Sequence, residues 1–311
     1  MKTYIRNPFI VPALIAGIAL TLAGRVTAQT FTTLHSFTAT NPQIRGTNND
    51  GASPNGLFLS GSTLYGTAHD GGSAGAGTVF AINTDGTGFT TLYGFTAGDD
   101  AGYPYAGLIL SGDTLYGATY ARGSGGAGTV FAVNTDGTGF TTLYSFSNGS
   151  DGGQPEASLI LSGNTLYGTA SRGGNSEAGT VFAVNIDGTG FATLHYFTGF
   201  SGGASPQAGL ILSGNTLYGT AAAGGSSGNG TVFSLSFRPQ LTITPSGTNV
   251  ILTWPTNVAG FDYTGYTLQS TTNLLSPAVW VTNSPAPVVI AGQNTVTNPI
   301  TGAQRFYRLV Q

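Results

Sequence analysis

Gly-Thr-Val-Phe begins at Gly77, Gly128, Gly179 and Gly230, and Leu-Tyr-Gly begins at Leu64, Leu115, Leu166 and Leu217, each series advancing by 51 residues without slippage. A strict period of this length means that the chain is built from copies of one supersecondary unit. Such a unit cannot bury its apolar face alone, so its copies must stack. A third phrase reads FTTLHSF at 31, FTTLYGF at 89, FTTLYSF at 140 and FATLHYF at 191, with a first interval of 58, so the first linker carries seven extra residues.

Each unit holds four short β-type runs, which in the third copy are SLILSG, TLYGTA, GTVFAVN and FATLHYF. Ser-Gly-Asn and Asn-Ile-Asp-Gly-Thr-Gly join them as tight turns, because glycine accepts the positive φ that such turns need. The unit reads as a four-stranded antiparallel meander with the length of a propeller blade. The repeat opens with its fourth phrase at 31–37 and closes with its third, GTVFSLSF, at 230–237. If strand 31–37 completes the last unit, the result is an all-β propeller of four 51-residue blades closed by the N-terminal strand. An open or laterally stacked solenoid, or a half ring completed by a second chain, is the alternative.

The ends have other compositions. Lys2 and Arg6 precede an apolar run from Phe9 to Leu22 that stops at Val26-Thr27-Ala28, the layout of an export signal cleaved after Ala28. A retained anchor is the alternative, although the run is interrupted by Pro12 and Gly17 and is short for a spanning helix. From Arg238 the repeat gives way to seven alternating runs: LTITPSG, NVILTWP, YTLQSTT, AVWVTN, PVVIAG, NTVTNPI and RFYRLV. These suit a small β-sandwich with Trp254, Trp280 and Tyr307 as core aromatics. The expected organisation is a signal peptide over 1–28, a repeat domain over 29–237 and a sandwich over 238–311.

Composition excludes several function classes. Without Lys2, Arg6 and Arg25, six arginines face twelve acids, a net charge of −6 that disfavours a nucleic-acid partner. The absence of cysteine rules out disulfides, thiolate metal sites and cysteine nucleophiles. After signal removal no apolar run is long enough to cross a membrane, so the chain reads as secreted or exposed on a cell surface.

The phrase LYGTA followed by GG, then GTVFAVN, DGTGF and an aromatic close, resembles a kelch blade whose late tryptophan is replaced by Phe. The longer pattern LYGTAxxGGxxGxGTVFxxNxDGTGFTTLYxF resembles the GloVer-type tandem repeats over about 31–237. That resemblance implies an exported, propeller-like bacterial protein and implies no activity. The tail, with LTWP around Trp254, YTLQSTTNL around Tyr266 and RFYRLV around Tyr307, is similar to fibronectin type III-like modules.

His35 and His195 stand at the repeat position of Tyr93 and Tyr144, so they read as fillers of an aromatic slot rather than metal ligands. Asp85, Asp136 and Asp187 recur in the Asp-Gly turn, which explains them without a cation. Calcium is the one ion that such oxygens could take, and no other metal or cofactor is expected. No serine lies in a strained Gly-x-Ser-x-Gly turn tied to a histidine, and the Gly-rich loops lack the lysine of a phosphate cradle.

More telling is where the copies disagree. The loops between second and third strands read AHDGGSAGA, TYARGSGGA, ASRGGNSEA and AAAGGSSGN, and the linkers between units carry NNDGASP, GDDAGYP, GSDGGQP and FSGGASP. In a meander both loop sets fall at one end of the sheets, where scaffolds commonly carry function. The binding candidates there are Asp50, Asp100 and Asp151 at near-equivalent positions, with Tyr103, Tyr105, Tyr120, Arg122, Arg172, His69 and Asp70. The plain alternative is that these acids cap turns. Three function classes remain: a non-enzymatic binder of a glycan or surface protein, a polysaccharide-active enzyme with paired carboxylates, and a structural envelope or matrix protein.

Overall fold

The computed structural model describes residues 30–310 apart from 44–45, 259, 284 and 302–303. The export signal expected over 1–28 lies outside the described residues. Residues 30–33, the described part of a first unit, are irregular and exposed. Leu34–Gln311 form the other unit. Its described residues are all-β, with strands and turns and no helix.

The first sheet consists of β1 (Ala52–Ser60), β2 (Thr63–Asp70), β3 (Thr78–Asn83) and β4 (Thr90–Gly94). The second holds β5 (Ile109–Ser111), β6 (Thr114–Thr119), β7 (Thr129–Asn134) and β8 (Thr141–Ser145). The third holds β9 (Ile160–Ser162), β10 (Thr165–Ala170), β11 (Thr180–Asn185) and β12 (Ala192–Tyr196). The fourth has β13 (Ile211–Ser213), β14 (Thr216–Ala221) and β15 (Thr231–Ser236). All are antiparallel meanders whose strand order follows the chain.

Two glycine positions explain the invariant phrases. Gly163, between β9 and β10, has φ +56 at the first residue of a two-residue turn, as a type II′ hairpin requires. Gly168 of Leu-Tyr-Gly pairs with Phe182 of Gly-Thr-Val-Phe, and a Cβ there would lie 2.5 Å from the phenyl Cζ. The phenylalanine therefore folds across bare backbone, and the two phrases are locked together in every copy.

Consecutive sheets pack face to face. Val79 and Phe95 of the first meet Leu108, Leu115 and Phe131 of the second in one buried cluster. Val130 and Phe146 meet Leu159, Leu166 and Phe182 in the next, and Val181 and Phe197 meet Leu210 and Leu217 in the third.

Ahead of the first sheet, Leu34 and Phe37 pack against its buried Ala68, Phe80 and Ile82. The strand expected over 31–37 as the fourth of the last sheet is not formed. Residues 34–40 are irregular, held on the first sheet by side-chain packing, and β15 is an edge of its sheet among the described residues.

The C-terminal strands are β16 (Thr242–Ser246), β17 (Asn249–Pro255), β18 (Asn257–Val258), β19 (Phe261–Asp262), β20 (Thr267–Thr271), β21 (Val281–Thr282), β22 (Val288–Ile290), β23 (Gln293–Pro299) and β24 (Phe306–Val310). They make one sheet in the order β16-β17-β23-β22, one in the order β21-β20-β24, and the hairpin β18-β19. The seven runs read from the sequence all form; the hairpin is additional. Leu252, Trp254, Leu268 and Val296 are buried together, with Tyr266 and Tyr307 packed against them. Trp280, expected in that core, is only partly buried and lies under the Arg308 guanidinium at 4.3 Å. Phe261 of β19 stacks on Phe237 at 4.4 Å and tilts against Tyr167 at 5.3 Å, which joins these strands to the core of the third and fourth repeat sheets.

Candidate functional site

Backbone hydrogen bonds lace the two variable loop sets together. Gly102 bonds Ala121, Gly153 bonds Arg172 and Ala204 bonds Ala223 in isolated antiparallel bridges. Tyr103, Gln154 and Ser205 each donate their N–H to the carbonyl of Ala76, Ala127 or Ala178 in the preceding loop. Each of the three precedes a proline and sits at positive φ, +62, +55 and +53. A non-glycine residue persists there only because the surrounding bonds over-determine it. The loop end is therefore a rigid platform.

The three aspartates of the site prediction each close on their own loop. Asp50 accepts from Thr38 N at 2.9 Å and Thr38 Oγ1 at 2.5 Å, and pairs with His35 Nε2 at 3.2 Å. Asp100 accepts from Tyr93 OH at 2.9 Å, Thr96 N at 2.8 Å and Thr96 Oγ1 at 2.5 Å. Asp151 repeats the pattern with Tyr144 and Ser147. Burial raises the Asp50 pKa, but the bonds from Thr38 and His35 outweigh it and hold the carboxyl below its ordinary value. Desolvation and the aspartate partner push the Tyr144 hydroxyl up to about 12 and raise Tyr93 further still. These hydroxyls stay neutral and donate to their aspartates, an arrangement that fixes loops. Asp85, Asp136 and Asp187 likewise accept from Thr87, Thr138 and Thr189 within their exposed turns. Among the described residues no three His, Asp or Glu side chains gather as metal ligands.

A different set converges. His69 is the penultimate residue of β2, and its ring centroid lies 4.0 Å from that of Tyr105 and 5.3 Å from that of Tyr103. Tyr105 meets Tyr120 edge to face at 5.1 Å, and the Arg122 guanidinium lies 5.8 Å from the Tyr103 ring centre. His69 Nδ1 pairs with Asp70 Oδ1 at 2.9 Å, while Ser53 Oγ donates to Asp70 Oδ2 at 3.1 Å. The sequence thus named six residues that the fold assembles: His69, Asp70, Tyr103, Tyr105, Tyr120 and Arg122. Arg172 stands exposed on the third sheet's loop, tied through its backbone to Gly153.

Glu156 was missed. It follows Pro155 as Tyr105 follows Pro104, so one repeat position carries Asn55, Tyr105, Glu156 and Gln207. The neighbouring position, at the end of each second strand, carries His69, Tyr120, Ser171 and Ala222. Ser171 Oγ donates to Glu156 Oε1 at 2.7 Å. Desolvation raises the Tyr105 pKa first, and the charges of Asp70 and Glu156 add to it alongside Tyr120. The two positions form a strip, His69–Tyr105–Tyr120–Glu156–Ser171, that offers aromatic faces with carboxylate acceptors at both ends. Comparing the residue after each linker proline across copies is the signal that would have found it.

The signature of the Gloeobacter/Verrucomicrobia repeat matches residues 23–233, more than half of the chain. The chain belongs to this repeat family. No curated protein matches it. Among solved structures it is similar to a chain of a nidogen/laminin complex, at 17% identity over 66% of this chain and 69% of that one with a TM-score of 0.39. It is also similar to a puromycin hydrolase mutant complexed with PGG, at 11% identity over 65% and 33% with a TM-score of 0.35. A third is an oligogalacturonate lyase in complex with manganese, at 13% identity over 60% and 48% with a TM-score of 0.39. The similarity thus spans a third of the hydrolase and about half of the lyase.

Proposed function

We propose that the chain is an exported bacterial recognition protein that binds a glycan along the His69–Tyr105–Tyr120–Glu156 strip. In this reading the repeats over 29–237 are kelch-like blades of a β-propeller. Residues 1–28 are a cleaved signal, and 238–311 form a fibronectin type III-like sandwich. Nucleic acid is not a partner and no cofactor takes part.

The observation that carries the reading is the pairing of half-exposed aromatic faces with acceptors along one strip. The C–H faces of a sugar ring are apolar and pack on Tyr105 and Tyr120, while its hydroxyls donate to Asp70 and Glu156 in charge-assisted bonds. A preformed surface also binds at low ordering cost, and the laced linkers supply that preorganisation.

The test is a glycan array followed by titration calorimetry of any hit, with Tyr105→Ala and Tyr120→Ala. Loss of binding by about tenfold or more with an unchanged melting temperature supports the strip, since a 1.4 kcal/mol contact is tenfold in affinity. Binding that survives both substitutions, or no hit on the array, overturns it. Release of cleaved product that Glu156→Gln abolishes would replace the reading with a polysaccharide-active enzyme.

A further inference from the structure

Stacking in this chain has a direction. Toward its successor each sheet presents Val79, Val130 or Val181, all at 0% exposure; toward its predecessor it presents Leu108, Leu159 or Leu210, at 5% or less. At the two ends of the series the same positions stand open. Val232 of the fourth sheet is 83% exposed and Leu57 of the first is 58% exposed. Tyr218, which succeeds the buried Tyr167, is 44% exposed beside Val232. The two bare faces are the two halves of the contact that the chain already makes three times internally.

The strand inventory has the same gap. β15 lacks a fourth strand among the described residues, and an open groove of about 370 Å³ runs along it, walled by His195 and Gly202. A segment with the fourth-strand phrase lies at the other end of the chain, placed as if a preceding sheet were there. Phe37 meets Phe80 at 5.3 Å and 72°, as Phe95 meets Phe131 at 5.3 Å and 73°. His35 stacks on Phe89 at 3.6 Å, as Tyr93 stacks on Phe140 at 3.7 Å. The first sheet therefore carries the last strand position of a predecessor whose other three strands are missing.

From this we infer that a second copy of this chain docks head to tail, its fourth sheet seating on the first sheet of its partner. The partner's His35 and Ser36 then pair with Val232 and Thr231, in the register by which Tyr93 and Gly94 pair with Val79 and Thr78. An exposed strand edge is a template for such addition. The inference rests on the propeller reading above. Closed propellers hold about four to eight blades, and copies add blades four at a time. With the ends of one copy apart, two copies and eight blades make the ring. Both junctions use the same two surfaces and are exchanged by a two-fold axis, as in a C2 dimer.

Sedimentation equilibrium of the full chain should report twice the chain mass, and Val232→Asp should halve it with the β-sheet circular dichroism unchanged. An exposed valine tolerates that charge in a single copy. The protein has no cysteine, so a Ser36→Cys, Thr231→Cys double variant gives a clean second readout. Opposed strand residues lie about 4.5 to 5.5 Å apart at Cα, within disulfide reach. Oxidation should yield a covalent two-copy species under denaturing conditions. A disulfide confined within one chain overturns the second copy and leaves a single-chain propeller. No disulfide, with a monomeric wild type, overturns both the second copy and ring closure. A ladder of longer species overturns the closed two-copy ring.

Discussion

His35 lies flat on Phe89, with ring centroids 3.6 Å apart and planes 6° from parallel, and its Nε2 donates to Asp50 Oδ2 at 3.2 Å. Tyr144 does the same on Phe191 at 3.5 Å and 3°, with its hydroxyl on Asp151 at 3.1 Å. One slot thus accepts histidine or tyrosine because both supply a flat ring and a polar tip at the same reach. His35→Tyr should keep the melting temperature within a few degrees of wild type. His35→Ala should lower stability by about 1 to 3 kcal/mol through lost packing and an abandoned carboxylate bond. Urea denaturation of both variants measures the difference.

Tyr144→Phe isolates the hydroxyl. It leaves the stack on Phe191 intact and removes one bond to Asp151 in a half-exposed setting. The expected loss is about 1 kcal/mol, and a loss several times larger would mean that the hydroxyl organises more than its own loop.

Gly168→Ala and Gly163→Ala separate crowding from backbone conformation. At Gly168 the new methyl would meet Phe182 at 2.5 Å and Leu159 at 2.8 Å, so overpacking should cost about 1 to 3 kcal/mol. At Gly163 nothing lies within 4 Å, and only the positive φ opposes alanine, for about 1 kcal/mol. Chemical denaturation should rank them in that order.

His195 gives a pH signature. Burial holds its imidazole below the ordinary value of 6.5, so folding favours the neutral ring. The stability contributed this way is complete above pH 6.5 and is lost as pH falls through 6.5 toward the folded value. Thermal melts of the wild type should therefore fall between pH 7.5 and 5.5, and His195→Tyr, which restores the residue of the second copy, should flatten the curve.

Phe261→Ala tests how the C-terminal strands are joined to the repeats. The ring is buried against Phe237 and Tyr167, so its removal should cost about 3 to 5 kcal/mol. If the two parts share one core cooperatively, calorimetry should show one transition in the wild type and two in the variant.

Strand positions were legible because glycine turns and a period of 51 leave little freedom. Gly168 facing Phe182 is a backbone constraint that repeats in the letters themselves. The hairpin of β18 and β19 was not legible, since strands of two residues, Asn257–Val258 and Phe261–Asp262, carry no alternation to read. In the candidate site, Tyr105 and Tyr120 were visible as departures from the repeat, whereas Glu156 became part of it only once Ser171 and Tyr105 were seen beside it.

By itself the sequence determined the four units, their turns and all their strands but the fourth of the last unit, the end at which the variable loops gather and the family to which the chain belongs. Those features rest on local geometry, which φ preferences and side-chain alternation encode residue by residue. Tertiary structure alone decided that Asp50, Asp100 and Asp151 spend their oxygens on their own loops, and that His69, Tyr105 and Glu156 share a strip. It also decided that Phe37 packs on Phe80 while Val232 stays bare, because the contact energy of a face depends on what is brought against it.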